Sequence, residues 1–279
     1  MDIAKVKEYL GAEWTAVQEC IAGSLESEID LLNQTNRSIL SHSGKQLRPI
    51  LALLSARACS ADGRASEATV RYAAAAELLH NATLLHDDVA DDSDQRRGVP
   101  TIRSIMGPTV SVLLGDYWLV KAMELILGDH DADSQVIRIF SKTLSDLAEG
   151  ELLQLQKAQS GDTVEEDYLR IIYSKTASLF EASCVSAALS VGASEPAVEA
   201  MKAYAVALGL AFQIKDDILD YDGTESVGKP LGVDILEQKM TMPLLGALAN
   251  AGPDEDKKVR ALVRDIVGHP EHRDEIVAF

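Results

Sequence analysis

Residues 69–98 read TVRYAAAAELLHNATLLHDDVADDSDQRRG. Alanine and leucine, which favour helices, dominate most of this stretch. From Tyr72 onward it is apolar almost all round, and a helix of that kind lies in the middle of a helical bundle or at a subunit interface. The stretch therefore predicts a long helix over Ser66–Asp91 that ends in a cluster of aspartates and an arginine-containing loop.

The rest of the chain repeats this helical pattern. Segments of about 15 to 30 residues at helical period alternate with short breaks, and Val110–Leu127 is a second helix that is apolar almost all round. Strand alternation is hardly visible. The predicted fold is all-α, a single large antiparallel helical bundle that spans residues 1–279 as one domain. The breaks are expected at Ser60–Arg64, Ser93–Thr101, Gly128–Ser134, Ser160–Glu165, Gly192–Pro196, Tyr221–Asp234 and Asn250–Glu255.

The charge balance excludes several classes of partner. The 279 residues include 44 acids and 26 bases, which gives a net charge of −18. A surface this acidic repels nucleic acid and anionic lipid, so an anionic substrate needs a local group of cations or metal ions. Three isolated cysteines predict buried thiols in a reducing compartment. We expect a soluble cytoplasmic protein, because the N-terminus lacks a signal-peptide pattern and no uninterrupted apolar run reaches the roughly 18 residues of a membrane span.

Two aspartate clusters echo each other. LLHDDVAD at 84–91 resembles QIKDDILD at 213–220, and each ends a long apolar helix with DDxxD. The first and last aspartates of such a motif lie on one side of the helix, where like charges repel. Oxygen-only ligands suit Mg²⁺, which commonly bridges carboxylates to phosphate oxygens. The clusters therefore predict a shared diphosphate site, and the alternative is that they only mark solvated helix ends. The predicted metal ligands are Asp87, Asp88, Asp91, Asp216, Asp217 and Asp220.

Cations near these clusters complete the predicted diphosphate site. Arg96 and Arg97 follow the first cluster directly, and the arginine fork binds phosphate oxygens bidentately. Lys45 and Arg48 are expected on one face at a helix N-terminus, which itself favours anions. Further candidates are His80, two turns before Asp87 on the same face, Lys175-Thr176 and Lys229. Taken singly, each has an ordinary alternative as a surface residue or, for the histidine, as a core residue.

Together these motifs resemble the trans-type isoprenyl diphosphate synthase family, and most of all its medium- and long-chain polyprenyl members. The similarity extends from Gly44 to about Pro243. Two ordered DDxxD motifs with RRG closely after the first make this resemblance highly specific. In chain order the matching segments are GKQLRP, ELLHNATLLHDDVADDSDQRRG, LLGDYWL, EGELLQL, YSKTASLF, FQIKDDILDY and GKPLGVDILEQKMTMPLL.

The resemblance implies a helical bundle around a central active-site cavity, generally homodimeric, in which Mg²⁺ is held by the six aspartates. The implied substrates are isopentenyl diphosphate and an allylic diphosphate. The implied contacts to the allylic diphosphate are Arg96, Lys175, Thr176, Gln213 and Lys229, and those to isopentenyl diphosphate are Lys45, Arg48, His80 and Arg97. Family members usually continue for several helices beyond the equivalent of Val277–Phe279, so we expect C-terminal helices to be missing from this sequence.

The expected chemistry follows from this site. Magnesium ions and Arg96 neutralise the allylic diphosphate as it leaves, which lowers the barrier to an allylic cation. The double bond of isopentenyl diphosphate attacks that cation, and a proton is then lost. The sequence shows no obvious acid–base dyad, so the departing diphosphate is a candidate acceptor for that proton.

Leu79, Ala82 and Thr83 are the residues expected to control product length. Thr83 and Leu79 lie one and two turns before Asp87 on the same helix face, and Ala82 is adjacent. In the family, small residues at this place accompany longer products, and no aromatic residue occurs within three turns. We expect a product beyond C20, roughly C30 to C50, with its tail in an apolar cavity. The alternatives are a C15 to C20 product and an alanine that only allows close helix packing.

Three other functions share parts of the pattern. A class I terpene cyclase uses the same ionisation chemistry, but its cavity is typically lined by aromatic faces, and aromatic residues are only 5% of this chain. A non-catalytic partner subunit generally loses an aspartate motif, whereas this chain keeps both. A di-iron carboxylate bundle needs two ExxH pairs, and only Glu77-xx-His80 is present.

Overall fold

A computed structural model describes residues 2–96, 98–128, 133–221 and 232–279, and almost all of its regular structure is helical, which confirms the all-α prediction. The helices are α1 (Ile3–Leu10), α2 (Ala12–Ser24), α3 (Asp30–Ser41), α4 (Leu47–Cys59), α5 (Glu67–Ala90), α6 (Ile102–Met106), α7 (Pro108–Leu127), α8 (Ser134–Ser160), α9 (Glu165–Ile172), α10 (Ser178–Ser190), α11 (Glu195–Tyr221), α12 (Val233–Leu236), α13 (Met242–Ala249), α14 (Pro253–Asp265) and α15 (His272–Ala278). A π-helical turn, Tyr173–Ala177, joins α9 to α10. Two short strands, β1 (Gln95–Arg96) and β2 (Val99–Pro100), form an antiparallel pair.

Helix α5 is the long helix that the sequence predicts over Ser66–Asp91. Its N-terminus carries a capping box, in which the Ser66 hydroxyl accepts from the Thr69 N–H and the Thr69 hydroxyl accepts from the Ser66 N–H, each at 3.0 Å. The box satisfies N–H groups that a helix start leaves without partners. Every residue from Tyr72 to Leu79 is buried. The all-round apolar pattern is therefore explained by burial on all sides.

Most of the predicted breaks coincide with the ends of helices, but several helices are shorter than expected. Gly11 and Gly107 explain two of the shorter ones, because their φ angles of 55° and 87° end α1 and α6 and glycine adopts positive φ readily. The prediction of helices of about 15 residues or more is wrong for α1, α6, α9, α12, α13 and α15, each of which has eight residues or fewer. The expected breaks at Gly128–Ser134 and Tyr221–Asp234 lie largely outside the described residues.

The chain divides into two compact units. The first comprises Met1–Ser141 and Leu179–Tyr204, and the second comprises Lys142–Ser178 and Ala205–Phe279. Each unit contains parts of the chain that are distant in sequence. One domain over residues 1–279 remains a prediction.

In the first unit, a buried polar chain fixes α3 and α7. The fully buried Trp118 donates its indole N–H to Asn36 Oδ1 at 2.9 Å, and the Asn36 amide donates to the Leu25 carbonyl at 3.0 Å. A buried donor without a partner costs about 1–3 kcal/mol, so these bonds specify how the two helices meet. Tyr72 and Phe140 add a tilted ring contact at 6.4 Å between centroids.

Helix α7 is buried on one side only. Leu114, Trp118 and Ile126 lie on its buried side. Leu113 and Val120 on the other side are 62% and 52% exposed. The sequence predicted either a central position or a subunit interface for this helix, and complete burial within one chain is excluded by these exposures.

In the second unit, one apolar cluster joins α9, α12, α13, α14 and α15. Its most deeply buried members are Ile235, Val263 and Ile266, each at or below 1% exposure, and Tyr168 packs among them. Burying a side chain of this size contributes about 1.5–3 kcal/mol. The cluster holds α9 in place and with it the hydroxyl of Tyr168.

Helix α11 is the described helix that is long and apolar enough to cross a membrane by length and composition, with a mean hydropathy of 1.3. Length and composition alone are weak evidence for a membrane-spanning helix, because the core helix of a soluble protein has the same properties. Glu199 and Lys202 interrupt its sequence, in keeping with the absence of an uninterrupted apolar run.

The three cysteines are free thiols, but only Cys184 is buried, so the prediction of burial is wrong for Cys20 and Cys59. Burial raises the pKa of Cys184 to about 11.

Candidate functional site

The first aspartate motif occupies the last turn of α5. Asp88 is buried, Asp87 is partly exposed, and Asp91 is exposed at the C-cap, where its N–H donates to the Asp87 carbonyl at 2.8 Å. The two outer carboxylates are thus the ones within reach of a ligand in solvent. Because a helix C-terminus carries partial negative charge, this turn gathers negative charge that a cation would neutralise.

The loop after α5 brings Arg96 back to the motif. Its Nε donates to Asp88 Oδ1 at 2.7 Å, and the Asp88 side chain is only 6% exposed. Arg103, which the sequence analysis did not single out, pairs with Asp92 and Asp94 and holds the loop in shape. The predicted phosphate ligand Arg96 and the predicted metal ligand Asp88 therefore contact each other. Arg97 lies outside the described residues.

A glycine on α7 allows close packing beside this motif. A Cβ at Gly115 would lie 2.3 Å from His86 Nε2, so no other residue fits there unless the imidazole moves. His86 contacts Asp116 Oδ1 at 3.2 Å, and the Ser111 hydroxyl donates to the Leu85 carbonyl at 2.8 Å. These contacts tie the turn before Asp87 to α7.

The second aspartate motif occupies the end of α11 and shows the same distribution of exposure. Asp217 is 5% exposed, whereas Asp216 is exposed and Asp220 is partly exposed. Asp217 accepts from the Tyr168 hydroxyl at 2.6 Å and from the Gln213 amide at 2.8 Å. The sequence analysis missed Tyr168, because nothing local to it indicates a partner 49 residues away.

Asp220 accepts hydrogen bonds from the start of α12. The Val233 and Asp234 N–H groups donate to its two carboxylate oxygens at 3.2 and 3.1 Å. Asp234 thereby lies among other acids: burial, and then the charges of Asp220 and Asp217, raise its pKa to about 7. Burial also raises the pKa of Asp217, while the bonds from Tyr168 and Gln213 oppose that shift.

Replacing Asp234 with asparagine should flatten the pH dependence of stability. Because its folded pKa lies above the unfolded value, folding raises proton binding at this carboxyl, so the contribution of Asp234 to the free energy of unfolding falls as pH rises from about 4 to 7. Urea unfolding at several pH values, in buffer with a chelator, measures the slope. The exposed Asp265→Asn serves as the control, and an unchanged slope in Asp234→Asn would contradict this account.

The π-helical turn presents Lys175 and Thr176. Lys175 pairs with Glu151 on α8, and the Thr176 hydroxyl donates to Gln213 Oε1 at 2.8 Å. Two glycines allow this: a Cβ at Gly150 would lie 2.6 Å from Ser174 Cβ, and one at Gly209 would lie 2.5 Å from Ala177 Cα. Single π-helical turns are frequent at functional sites, and this one carries two predicted phosphate contacts.

The other residues predicted to bind diphosphate are Lys45, Arg48, His80 and Lys229. Lys45 precedes the N-cap Gln46, which has a left-handed backbone (φ 55°), so Lys45 lies outside α4. The prediction that Lys45 and Arg48 share one helix face is therefore wrong. The Arg48 guanidinium lies over the Phe180 ring at 4.8 Å, and His80 is partly exposed on α5. Lys229 lies outside the described residues.

The residues predicted to control product length differ in accessibility. Leu79 and Ala82 have no accessible surface, so they contact neighbouring side chains and line no space that admits water. Thr83 is partly exposed, and its hydroxyl donates to the His80 carbonyl at 2.8 Å. Of the three, Thr83 is the one that a bound molecule could touch without movement of the helices.

The donor set suits a hard divalent cation. Within residues 2–96, 98–128, 133–221 and 232–279, no group of three or more His, Cys, Asp or Glu side chains converges closely enough to hold a metal ion. Magnesium usually takes one or two carboxylates together with water and phosphate oxygens, so each motif fits such an ion when a diphosphate supplies the other ligands. The two motifs belong to different units, and their facing each other remains a prediction.

Known proteins are similar to this chain along nearly its whole length. The family model described as polyprenyl synthetase matches residues 29–278. The octaprenyl diphosphate synthase of Escherichia coli K12 is 38% identical over 264 residues, which cover 94% of this chain and 80% of that protein. The crystal structure of a decaprenyl diphosphate synthase from Rhodobacter capsulatus is 37% identical with a TM-score of 0.87, covering 99% of this chain and 85% of that one.

A third similar protein was crystallised with ligands. The polyprenyl synthase from Caulobacter crescentus CB15, complexed with calcium and isoprenyl diphosphate, is 33% identical with a TM-score of 0.86, covering 99% of this chain and 84% of that one. That complex contains a divalent metal and a prenyl diphosphate together. The likeness of sequence and fold over nearly the full length assigns this chain to the polyprenyl synthetase family of prenyltransferases.

Proposed function

We propose that this prenyltransferase condenses isopentenyl diphosphate with an allylic diphosphate to give a long-chain all-trans polyprenyl diphosphate, with Mg²⁺ as its metal. The observation that carries the proposal is the pair of DDxxD motifs. In each, a buried middle aspartate is held by a protein donor while the other two reach the surface. The relation to an octaprenyl diphosphate synthase supports the same function.

The outer aspartates of both motifs would hold the cations. Asp87, Asp91, Asp216 and Asp220 supply oxygen ligands only, which suits Mg²⁺. When bound, the ions would neutralise charge on the departing diphosphate. Asp88 and Asp217, already hydrogen-bonded within the protein, would fix the two helix ends.

Arg96 and Lys175 would bind the allylic diphosphate while keeping their acidic partners. Arg96 uses its Nε for Asp88 and is 34% exposed, so its terminal nitrogens can donate to phosphate oxygens. Lys175 pairs with Glu151, yet an ammonium has three donors. The acids orient both cations, so binding of the diphosphate costs less conformational entropy.

The helix interior before the first motif suits a reactive cation. Leu78, Leu79 and Ala82 are fully buried and Leu85 is 5% exposed. Apolar packing of this kind keeps water from an allylic carbocation, which water would otherwise capture.

A homodimer is part of the proposal. Leu113, Val120 and Leu127 on α7, and Leu152 and Leu155 on α8, expose between 44% and 67% of their surface. Exposed apolar side chains repeated along a helix indicate a surface that a partner covers. A second copy of the chain is the partner that the family resemblance implies.

Incubation of the purified protein with labelled isopentenyl diphosphate, allylic primers of several lengths and Mg²⁺ should give a product beyond C20. The similarity to an octaprenyl and a decaprenyl diphosphate synthase supports a long product, and the partly exposed Thr83 is not an aromatic residue that would obstruct one. Product size is measured by chromatography after removal of the diphosphate. Omission of Mg²⁺ in the presence of a chelator should abolish turnover.

The other outcomes of this assay are informative. A product that stops at C15 or C20 would contradict the proposed chain length while leaving the reaction type intact. The lack of turnover with every primer would contradict the proposed function and favour a non-catalytic partner subunit.

A further inference from the structure

A chain of hydrogen bonds leads from the π-helical turn to the second aspartate motif. The Thr176 hydroxyl donates to Gln213 Oε1 at 2.8 Å, and Gln213 Nε2 donates to Asp217 Oδ1 at 2.8 Å. On the other carboxylate oxygen, Oδ2, Asp217 accepts from the Tyr168 hydroxyl at 2.6 Å. Both oxygens of Asp217 are therefore engaged by the protein.

Tyr168 is a rigid donor. It is 3% exposed and packs in the apolar cluster of the second unit, whose members include Ile172 and Leu245. A tyrosine held by packing has few alternative rotamers, so its hydroxyl defines the position of the carboxylate that it contacts. A carboxylate so buried cannot replace this bond with bulk water, which makes the bond more consequential than a surface one.

We propose that Tyr168 is a positioning residue for the second aspartate motif: by holding Asp217 it fixes the last turn of α11 so that Asp216 and Asp220 lie where a metal–diphosphate complex needs them. This inference rests on the proposed function. Tyr168 lies on α9 and touches none of the reacting groups in the proposal, so it acts on the motif through its hydrogen bond to Asp217. Residues that orient metal ligands typically affect metal affinity or activity about 10- to 100-fold when they are replaced.

The position of Tyr168 in the chain explains why one residue can have this effect. Helix α9 continues directly into the π-helical turn that carries Lys175 and Thr176. Thr176 bonds to Gln213 and Tyr168 bonds to Asp217, four residues further along α11. The two bonds fix α11 at adjacent turns of one face, so the proposed phosphate contacts and the aspartates keep a constant separation.

The test uses Tyr168→Phe, which removes the hydroxyl and keeps the ring. Tyr204→Phe is the matched control, because Tyr204 lies on α11 and is 50% exposed. Gln213→Met is a second variant that removes the other donor to Asp217 at similar volume. Circular dichroism and the melting temperature without metal show whether each variant folds.

Two measurements separate positioning from a merely structural role. The first is the rise in melting temperature on addition of Mg²⁺ with inorganic pyrophosphate, which needs no turnover. The second is steady-state kinetics, giving kcat, the Mg²⁺ concentration at half-maximal rate, and KM for isopentenyl diphosphate. We expect Tyr168→Phe to show a smaller melting shift, a Mg²⁺ requirement raised about tenfold or more and a lower kcat, with KM for isopentenyl diphosphate unchanged.

The inference is overturned if Tyr168→Phe matches Tyr204→Phe in both measurements, or if it lowers the melting temperature without metal but leaves the Mg²⁺ dependence as in the wild type. Should Tyr168→Phe fail to fold, Gln213→Met tests the hold on Asp217 by the Mg²⁺ concentration at half-maximal rate with saturating allylic primer, because the resemblance also implies a contact of Gln213 to the allylic diphosphate. An unchanged Mg²⁺ requirement in that variant overturns the inference. A wild-type protein that neither turns over nor gains stability with Mg²⁺ and pyrophosphate would refute the proposed function, and the inference with it.

Discussion

Replacing Asp87 with alanine should lower kcat by about a hundredfold to a thousandfold, the effect of removing one electrostatic contact to developing charge. The free energy of unfolding should change by less than about 1 kcal/mol, because the variant also relieves the repulsion between Asp87 and Asp91 at i, i+4 and removes a negative charge from a helix C-terminus. Large loss of activity without loss of stability is the signature of a site kept for function at a cost in stability.

Urea unfolding and steady-state kinetics on the same preparation measure both quantities. Asp30→Ala is the control, since Asp30 is an exposed aspartate in the first turn of α3, and its turnover should equal that of the wild type. Near-normal turnover in Asp87→Ala would remove the first motif from the mechanism, and a large loss of stability would make Asp87 structural instead.

Replacing Gly209 with alanine should destabilise the protein by about 1–3 kcal/mol, as inserting a methyl group into a packed contact usually does. The added Cβ would lie 2.5 Å from Ala177 Cα and 2.7 Å from Ala177 Cβ, and the Cα belongs to a backbone that cannot rotate away. Because Thr176 adjoins Ala177 and bonds to Gln213, the separation that results should also reduce turnover.

Gly246→Ala is the matched control. Gly246 lies within α13, and a Cβ there meets nothing within 4 Å, so alanine should stabilise the protein by up to about 1 kcal/mol through its helix propensity. Thermal unfolding of the two variants should therefore shift in opposite directions. Equal stabilisation in both would mean that α11 does not approach the π-helical turn so closely.

Local patterns carried much of the fold prediction. The apolar run in α5 predicted a helix buried from Tyr72 to Leu79, and Gly192–Pro196 and Asn250–Glu255 marked true ends of helices. Helical period and breaker residues act over one or two turns, so a single sequence shows them directly. The two aspartate motifs were also recognised from the sequence, since residue type and spacing alone suggest metal binding.

Structural features that depend on residues distant in the chain could not be predicted from the sequence. Nothing around Lys45 shows that Gln46 adopts a left-handed backbone and that the helix starts after it. The π-helical turn Tyr173–Ala177 inserts one extra residue into a continuous helical pattern, which periodicity does not resolve over so short a segment. The pairing of Lys175 with Glu151 likewise joins two helices whose packing no local pattern gives.

The sequence by itself determined that the chain is helical, that it carries two groups of three acids at the ends of apolar helices, and that two arginines closely follow the first group. These properties follow from residue type and short-range spacing. Only the tertiary structure decided which acid in each group faces inward, that Arg96 holds Asp88, and that Tyr168 holds Asp217. Burial and hydrogen bonding depend on what packs around a side chain, and that environment comes from helices far apart in the sequence.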